Sequence, residues 1–220
     1  MKTRNITVNS NTGARILFLY PNERGMSTVP AAIAILSQVL KDAGHTTGLF
    51  DTTFYKFDDE LTPEGFKGVN TDSAMTKSLN YRPVENQDDE ELYFKKSTKS
   101  AVDDLREMIQ DFNPDLIAVS CTETTFNRAL TLIRATRELN VPNIFGGVFP
   151  TFAPDLVSKH AEVDIICIGE GENALTEIAS AISNDESYLH ASNCWFKDDK
   201  GNITKNPISK PVNVNELPAI

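Results

Sequence analysis

Four short segments of this sequence gather small, hydroxyl-bearing and glycine residues. Tyr20, Pro21 and Asn22 lead into a loop carrying Arg24, Gly25, Met26, Ser27 and Thr28. Ser120, Cys121, Thr122, Glu123, Thr124 and Thr125 follow an apolar run. Gly146-Gly147 precedes Phe149, Pro150 and Thr151, and Gly169-Glu170-Gly171-Glu172 alternates glycine with acid. Glycines let a backbone approach a ligand closely, and hydroxyls offer hydrogen bonds without bulk. Together the segments describe a slot for a large, polar, uncharged or weakly anionic ligand. Each also has a plainer reading: Gly-Gly as a turn, Thr122 as a helix cap, and Glu170 and Glu172 as first-turn acids that complement a helix dipole. Singly none is specific; their order and spacing carry the weight. No catalytic residue is assigned, because no Ser–His–Asp or Cys–His arrangement is evident. Cys121 reads as a small packing residue.

The elements that must position these loops follow from hydrophobic periodicity. Arg15 to Tyr20 is an apolar run suited to a strand buried on both faces. A helix is expected from Pro30 to Gly44, with Ala32, Leu36, Val39 and Ala43 as its apolar stripe, and then a strand from Thr47 to Asp51. Residues 52–98 break the rhythm and read as an insertion. A helix from about Ser100 to Phe112 ends at Asn113-Pro114. Strands at Asp115 to Val119, Asn143 to Phe145 and Asp164 to Ile168 alternate with helices marked by Phe126, Leu130 and Ile133, by Asp155 to His160, and by Leu175, Ile178, Ala179 and Ile182. Strands and helices in alternation imply an α/β, Rossmann-like (flavodoxin-like) five-stranded parallel sheet with helices on both faces. Asp198-Asp199-Lys200-Gly201 signals a C-terminal β-hairpin, and the proline-bearing tail after Asn206 reads as a linker. The expected organisation is a tail at 1–14, the main domain at 15–190, and hairpin plus linker at 191–220. In such a sheet ligands bind at the carboxyl ends of the strands, where the four segments fall.

Composition bounds the function classes. With 40% hydrophobic and 24% charged residues the chain resembles an ordinary globular protein. A formal charge of −10 argues against nucleic acid or an anionic membrane as partner. No apolar run approaches the roughly 20 residues that span a bilayer, and Met1 to Gly13 has no apolar signal core, so a cytoplasmic location is expected. Cys121, Cys167 and Cys194 are far apart and odd in number, so a disulfide framework is not expected. No CxxC or CxxxCxxC spacing points to zinc or iron–sulfur in these 220 residues.

The ordered set RILFLYP, KDAGH (Lys41 to His45), PDLIAVS (Pro114 to Ser120), GGVFPT (Gly146 to Thr151) and ICIGEGE (Ile166 to Glu172) resembles the N-terminal cobalamin-binding domain of cobalamin-dependent radical SAM enzymes. Ser120-x-Thr122 is similar to that family's Ser-x-Leu element, with Thr122 in place of leucine. The resemblance runs from about Arg15 to Pro218. It implies cobalamin as cofactor, with the nucleotide tail beside Ser120, Thr122, Gly146, Gly147 and Gly169. It also implies a partner radical SAM domain C-terminal to this chain, which would hold an iron–sulfur cluster and S-adenosylmethionine, and in many relatives a methyl transfer. The tail stopping at Ile220 fits the removal of such a domain.

Other cobalamin domains place Asp-x-His-x-x-Gly after the first strand, where the histidine ligates cobalt. The loop Asn22-Glu23-Arg24-Gly25-Met26-Ser27 has no histidine, so no protein nitrogen is expected on cobalt. His45, His160 and His190 read as surface residues. Two rival readings stay open: a flavodoxin-like flavin-binding or receiver-type signalling module, and a scaffold that binds nothing. Tyr20-Pro21 and Ser120-Cys121 at strand ends, where a receiver needs acids, count against signalling.

Overall fold

A computed structural model describes residues 13–22, 30–55, 57 and 99–218. Most of the expected insertion at 52–98, the tail at 1–12, and the loop residues Arg24, Gly25, Met26, Ser27 and Thr28 lie outside the described residues. Within them the element order is β1 (Arg15–Tyr20), α1 (Ala31–Asp42), β2 (Thr46–Asp51), α2 (Ala101–Phe112), β3 (Leu116–Ser120) and α3 (Glu123–Ala135), then β4 (Asn143–Gly146), α4 (Val148–Phe152), α5 (Pro154–Val157), β5 (Ile165–Cys167), α6 (Glu172–Ser183), β6 (Cys194–Lys197) and β7 (Ile203–Lys205).

The strands form a seven-stranded sheet in the order β2-β1-β3-β4-β5-β6-β7. The five expected parallel strands are present. The C-terminal hairpin does not stand apart: β6 adds antiparallel to β5 and β7 to β6.

Alternation along each strand builds two cores. Leu17 and Leu19 of β1, Ile117 and Val119 of β3 and Phe145 of β4 face α2 and α3, meeting Leu105, Ile109, Phe126, Leu130 and Ile133. Ile16, Phe18, Leu116, Ala118, Ile144 and Ile165 face α1 and α6, meeting Ile33, Leu40, Ala174, Leu175 and Ile178. Helices therefore cover both faces, as a doubly buried parallel sheet requires. α2 starts where the Ser100 hydroxyl accepts the Asp103 amide, and it stops where Asn113 turns left-handed ahead of Pro114.

The expected stripes of α3 and α6 are the buried ones. The expected stripe of α1 holds in part: Leu36 packs against the core and Val39 is half-buried, but Ala32 and Ala43 are exposed, and Ile33 and Leu40 are the fully buried residues. The helix is apolar nearly all round, so the larger aliphatic side chains decide which face packs. The short helix expected at Asp155 to His160 is α5, which starts one residue earlier at Pro154 and ends at Val157, and a further short helix not expected from the sequence, α4, precedes it.

Two further expectations are corrected. His45 is not at the surface; it is 7% exposed, with Nδ1 accepting the Ala14 amide at 3.2 Å and Nε2 3.4 Å from the Ser180 hydroxyl. His160 is half-buried, its ring edge-on to Phe126, and His190 is exposed as expected. The cysteines, far apart in sequence, are not all apart in space: Cys167 and Cys194 face each other across β5 and β6.

Candidate functional site

Strand order reverses direction at β1. The chain passes from β1 outward to β2 on one side and later returns to place β3 on the other. In open sheets of this kind ligands bind beside such a switch point, at the carboxyl ends of the strands, and the carboxyl ends of β1 and β3 carry Tyr20-Pro21 and Ser120-Cys121. β4 continues the rim, with Ser120 in register with Gly146.

The floor of this rim is nearly free of side chains. A methyl group on Gly146 would meet nothing closer than the Cys167 Cβ at 3.7 Å, and one on Gly169 would meet nothing within 4 Å. Gly147 differs. At φ 102°, a Cβ there would lie 2.6 Å from the Cys121 carbonyl oxygen, so glycine is required for the close approach of two loops whether or not a ligand is bound. The Ser120 hydroxyl has no hydrogen-bond partner among the described residues.

The structure separates the sequence-derived candidates into those that face the rim and those that build it. Thr122 precedes α3, and its amide donates to the Thr125 hydroxyl at 3.0 Å. Thr125 is buried in this cap, and the Thr124 hydroxyl is 3.0 Å from that of Thr122. Glu123 and Thr124 are exposed at the first turn. Phe149 points inward onto Phe126, centroids 5.0 Å apart, and Pro150 is buried beside it. Thr151 accepts the Gly169 amide at 3.0 Å.

Asn22 is 3% exposed and acts as a knot. Its carbonyl accepts the Thr52 hydroxyl at 2.8 Å and the Arg128 guanidinium at 2.6 Å, while its side-chain amide donates to Thr53. Pro21 is buried. Tyr20 is half-buried, and burial, with Asp51 nearby, pushes its phenol above the ordinary value.

Glu170 points toward the tail. Its carboxylate accepts the Val212 amide at 2.6 Å, and its carbonyl accepts the Asn193 side chain at 2.9 Å. Asn193 in turn accepts the Ser209 amide at 2.7 Å and donates its own amide to the Pro207 carbonyl. The segment read as a free linker is thus held against the Gly169–Glu172 turn. Gly171 packs on Leu36, and one carboxylate oxygen of Glu172 is enclosed with no hydrogen-bond partner among the described residues.

Two rim residues escaped the sequence reading. Val148 and Phe152 of α4 are 62% and 84% exposed, directly after Gly147. Their i,i+4 spacing opposite the inward Phe149 and Pro150 is the signal that could have found them. Cys121 is buried, and burial pushes its thiol up to about 12, which suits an inert packing residue. Among the described residues no cluster of His, Cys, Asp and Glu could hold a metal ion, and no helix is long and apolar enough to cross a membrane.

The residues present fit a large amide-rich ligand. An open glycine floor, exposed apolar side chains, and a Ser120 hydroxyl and an enclosed Glu172 carboxylate oxygen without partners among the described residues fit a flat macrocycle with carboxamide arms better than a polyanion. Residues 86–179, which take in α2 through most of α6, match the B12 binding domain family. Over that segment the chain is similar to the B12 binding domain family, the class that its resemblance implied.

The chain is 27% identical over 121 residues to the uncharacterized methyltransferase PH0819 of Pyrococcus horikoshii, covering 52% of this chain and 26% of that protein. It is 32% identical over 72 residues to the anaerobic magnesium-protoporphyrin IX monomethyl ester cyclase of Synechocystis, covering 32% of this chain and 14% of that protein. In fold it is similar to the radical S-adenosylmethionine methyltransferase TsrM of Kitasatospora setae, solved with cobalamin and a [4Fe-4S] cluster: TM-score 0.57 at 16% identity, over 94% of this chain and 31% of that one. It is also similar to the cobalamin-dependent S-adenosylmethionine radical enzyme OxsB, solved with aqua-cobalamin: TM-score 0.56 at 14% identity, over 92% of this chain and 23% of that one. The chain spans about a quarter of the first curated relative and under a third of these solved enzymes.

Proposed function

We propose that this chain holds cobalamin across the carboxyl ends of β1, β3 and β4, as the cofactor-binding part of a radical SAM enzyme. The observation that carries the reading is the open rim at Ser120, Gly146 and Gly169 lying inside the segment that matches the B12 binding domain. When bound, cobalamin supplies a cobalt centre that can carry an alkyl group. The protein's own residues bind and orient. Ser120 offers a hydroxyl, Gly146 offers backbone without obstruction, and Gly169 is held in place by Thr151. Glu172 offers an acceptor for an amide N–H. Val148 and Phe152 offer apolar area beside the glycine pair.

The radical SAM domain is proposed as part of the same full-length polypeptide. The relatives support this, since this chain is similar to a minor fraction of the length of each. Methyl transfer is one reaction such an assembly supports. The test of the binding reading is a titration with hydroxocobalamin followed by desalting. A corrin spectrum that stays with the protein is expected, and complete loss of colour under saturating conditions would overturn it. A CxxxCxxC segment in the continuous reading frame would support the second domain.

A further inference from the structure

Cys167 ends β5 and Cys194 begins β6, and the two are register partners in an antiparallel pair. The hydrogen bonds on either side fix what kind of pair this is. The Ile168 amide donates to the Asn193 carbonyl at 2.8 Å, and the Lys197 amide donates to the Asp164 carbonyl at 2.9 Å. Hydrogen-bonded pairs therefore fall at 168/193, 166/195 and 164/197, and Cys167/Cys194 is a non-hydrogen-bonded pair. Such pairs bring Cα atoms to about 4.5 Å with side chains on one face. That lies within the roughly 4.4–6.8 Å across which a disulfide closes without moving the backbone. Both thiols are free, and they are 4% and 0% exposed, respectively. The Cys194 thiol is within hydrogen-bond reach of Cys167; that contact, with burial, pushes it well above the ordinary thiol value. The third cysteine, Cys121, follows β3 and has a different neighbour, the Gly146 carbonyl.

We propose that Cys167 and Cys194 are a redox-active dithiol, oxidised by a peroxide to a cross-strand disulfide. The thiolate of one cysteine attacks a peroxide oxygen and breaks the O–O bond, giving a sulfenic acid; the departing oxygen takes a proton and leaves as water when the oxidant is hydrogen peroxide. The second sulfur attacks the sulfenic sulfur, its proton joins the hydroxyl, and a second water leaves. The sum is two thiols and one hydrogen peroxide to one disulfide and two waters. The position gives the step a consequence. The Cys167 sulfur now contacts the Glu170 carbonyl at 3.8 Å, and its Cβ is the nearest atom to a methyl on Gly146. Disulfide formation removes the thiol hydrogen that Cys167 donates to the Glu170 carbonyl, so oxidation reaches the rim turn. The raised thiol makes this a slow, protected pair rather than a rapid sensor.

The test exposes the full chain to hydrogen peroxide, then unfolds it in an alkylating reagent. Three free thiols are expected to fall to one, with a loss of two hydrogens in the intact mass and a peptide joining Cys167 to Cys194. A thiol reductant restores all three. Cys194→Ser abolishes the cross-link, and Cys167→Ser serves the same purpose if the first variant does not fold. Hydrogen exchange at residues 169–172 changes on oxidation in the parent and not in either variant. Three alkylated thiols after saturating peroxide, or oxygen gained on Cys167 or Cys194 without a cross-link, would overturn the proposal.

Discussion

The Thr151 hydroxyl oxygen accepts the Gly169 amide at 3.0 Å, which ties the short helix after β4 to the turn after β5. One bond thus fixes two of the four rim segments against each other. Thr151→Val keeps the shape and removes the acceptor. Gly169 is exposed, so water takes over its amide and stability falls by no more than about 1 kcal/mol. Cobalamin affinity is expected to fall several-fold, measured by titration, because the rim is no longer held in its binding shape.

The adjacent glycines at the end of β4 separate ligand effects from folding effects. Gly147→Ala forces a Cβ to 2.6 Å from a carbonyl oxygen at φ 102°, and it should cost about 2 kcal/mol or more in urea unfolding. Gly146→Ala meets only ordinary contact at 3.7 Å and should change stability by less than about 1 kcal/mol. Cobalamin binding is expected to weaken at least tenfold in Gly146→Ala all the same. Unchanged affinity would remove Gly146 from the floor of the site.

His45 gives stability a pH dependence. Burial holds its imidazole below the ordinary value, so the folded state resists a proton that the unfolded chain accepts. The unfolded state then binds more protons, and stability rises with pH. Its contribution is complete above the unfolded value of about 6.5 and declines as pH falls below it toward the lower folded value. Urea midpoints at about pH 7.5 and about pH 5.5 should differ less in His45→Gln than in the parent.

Asn193 serves both the tail and the Gly169–Glu172 turn. It sits at φ 62°, is 4% exposed, and its side chain bonds Glu170 and Ser209. Asn193→Ala loses both bonds and strains the backbone, for a cost of about 2–4 kcal/mol. Asn193→Gly keeps the backbone freedom and loses only the bonds. Amide exchange in residues 206–213 should quicken in both variants, and thermal stability should drop further in the alanine one.

The cobalt should carry no nitrogen from this chain. The loop Asn22 to Pro30 contains no histidine, His45 is engaged with Ala14 and Ser180, and His160 packs on Phe126. Electron paramagnetic resonance of the Co(II) form should lack nitrogen superhyperfine splitting. A resolved splitting, persisting when the nucleotide base is isotopically labelled, would identify a protein ligand.

What could be read from sequence was what local pattern decides. The runs at Ile16 to Leu19 and Leu116 to Val119 can be little but buried strands, and Phe126, Leu130 and Ile133 leave one packing face on α3. α1 offers apolar residues in nearly every direction, so its phase waits on which side chains the sheet accepts. His45 follows a helix end, where exposure is the ordinary outcome. Its hydrogen-bond partners, Ala14 and Ser180, come from far along the chain. The Cys167–Cys194 pairing depends on an antiparallel register that neither cysteine's neighbours encode. The candidate rim was legible as four loops, but which side chains look outward was not. Phe149 and Pro150 face in, whereas Val148 and Phe152 face out.

The hairpin after α6 also sets direction. β5 runs toward the rim, β6 runs away from it, and β7 runs back, so Lys205 ends on the side where Ser120 and Gly146 end. Two added strands preserve the heading of the chain, whereas one or three would reverse it. A single extra strand would deliver residues 206–218 to the opposite side of the sheet, roughly 10–14 Å away for a strand this short. Strand parity therefore acts as an address: it sends the tail to the binding face before any side chain of the tail makes a contact.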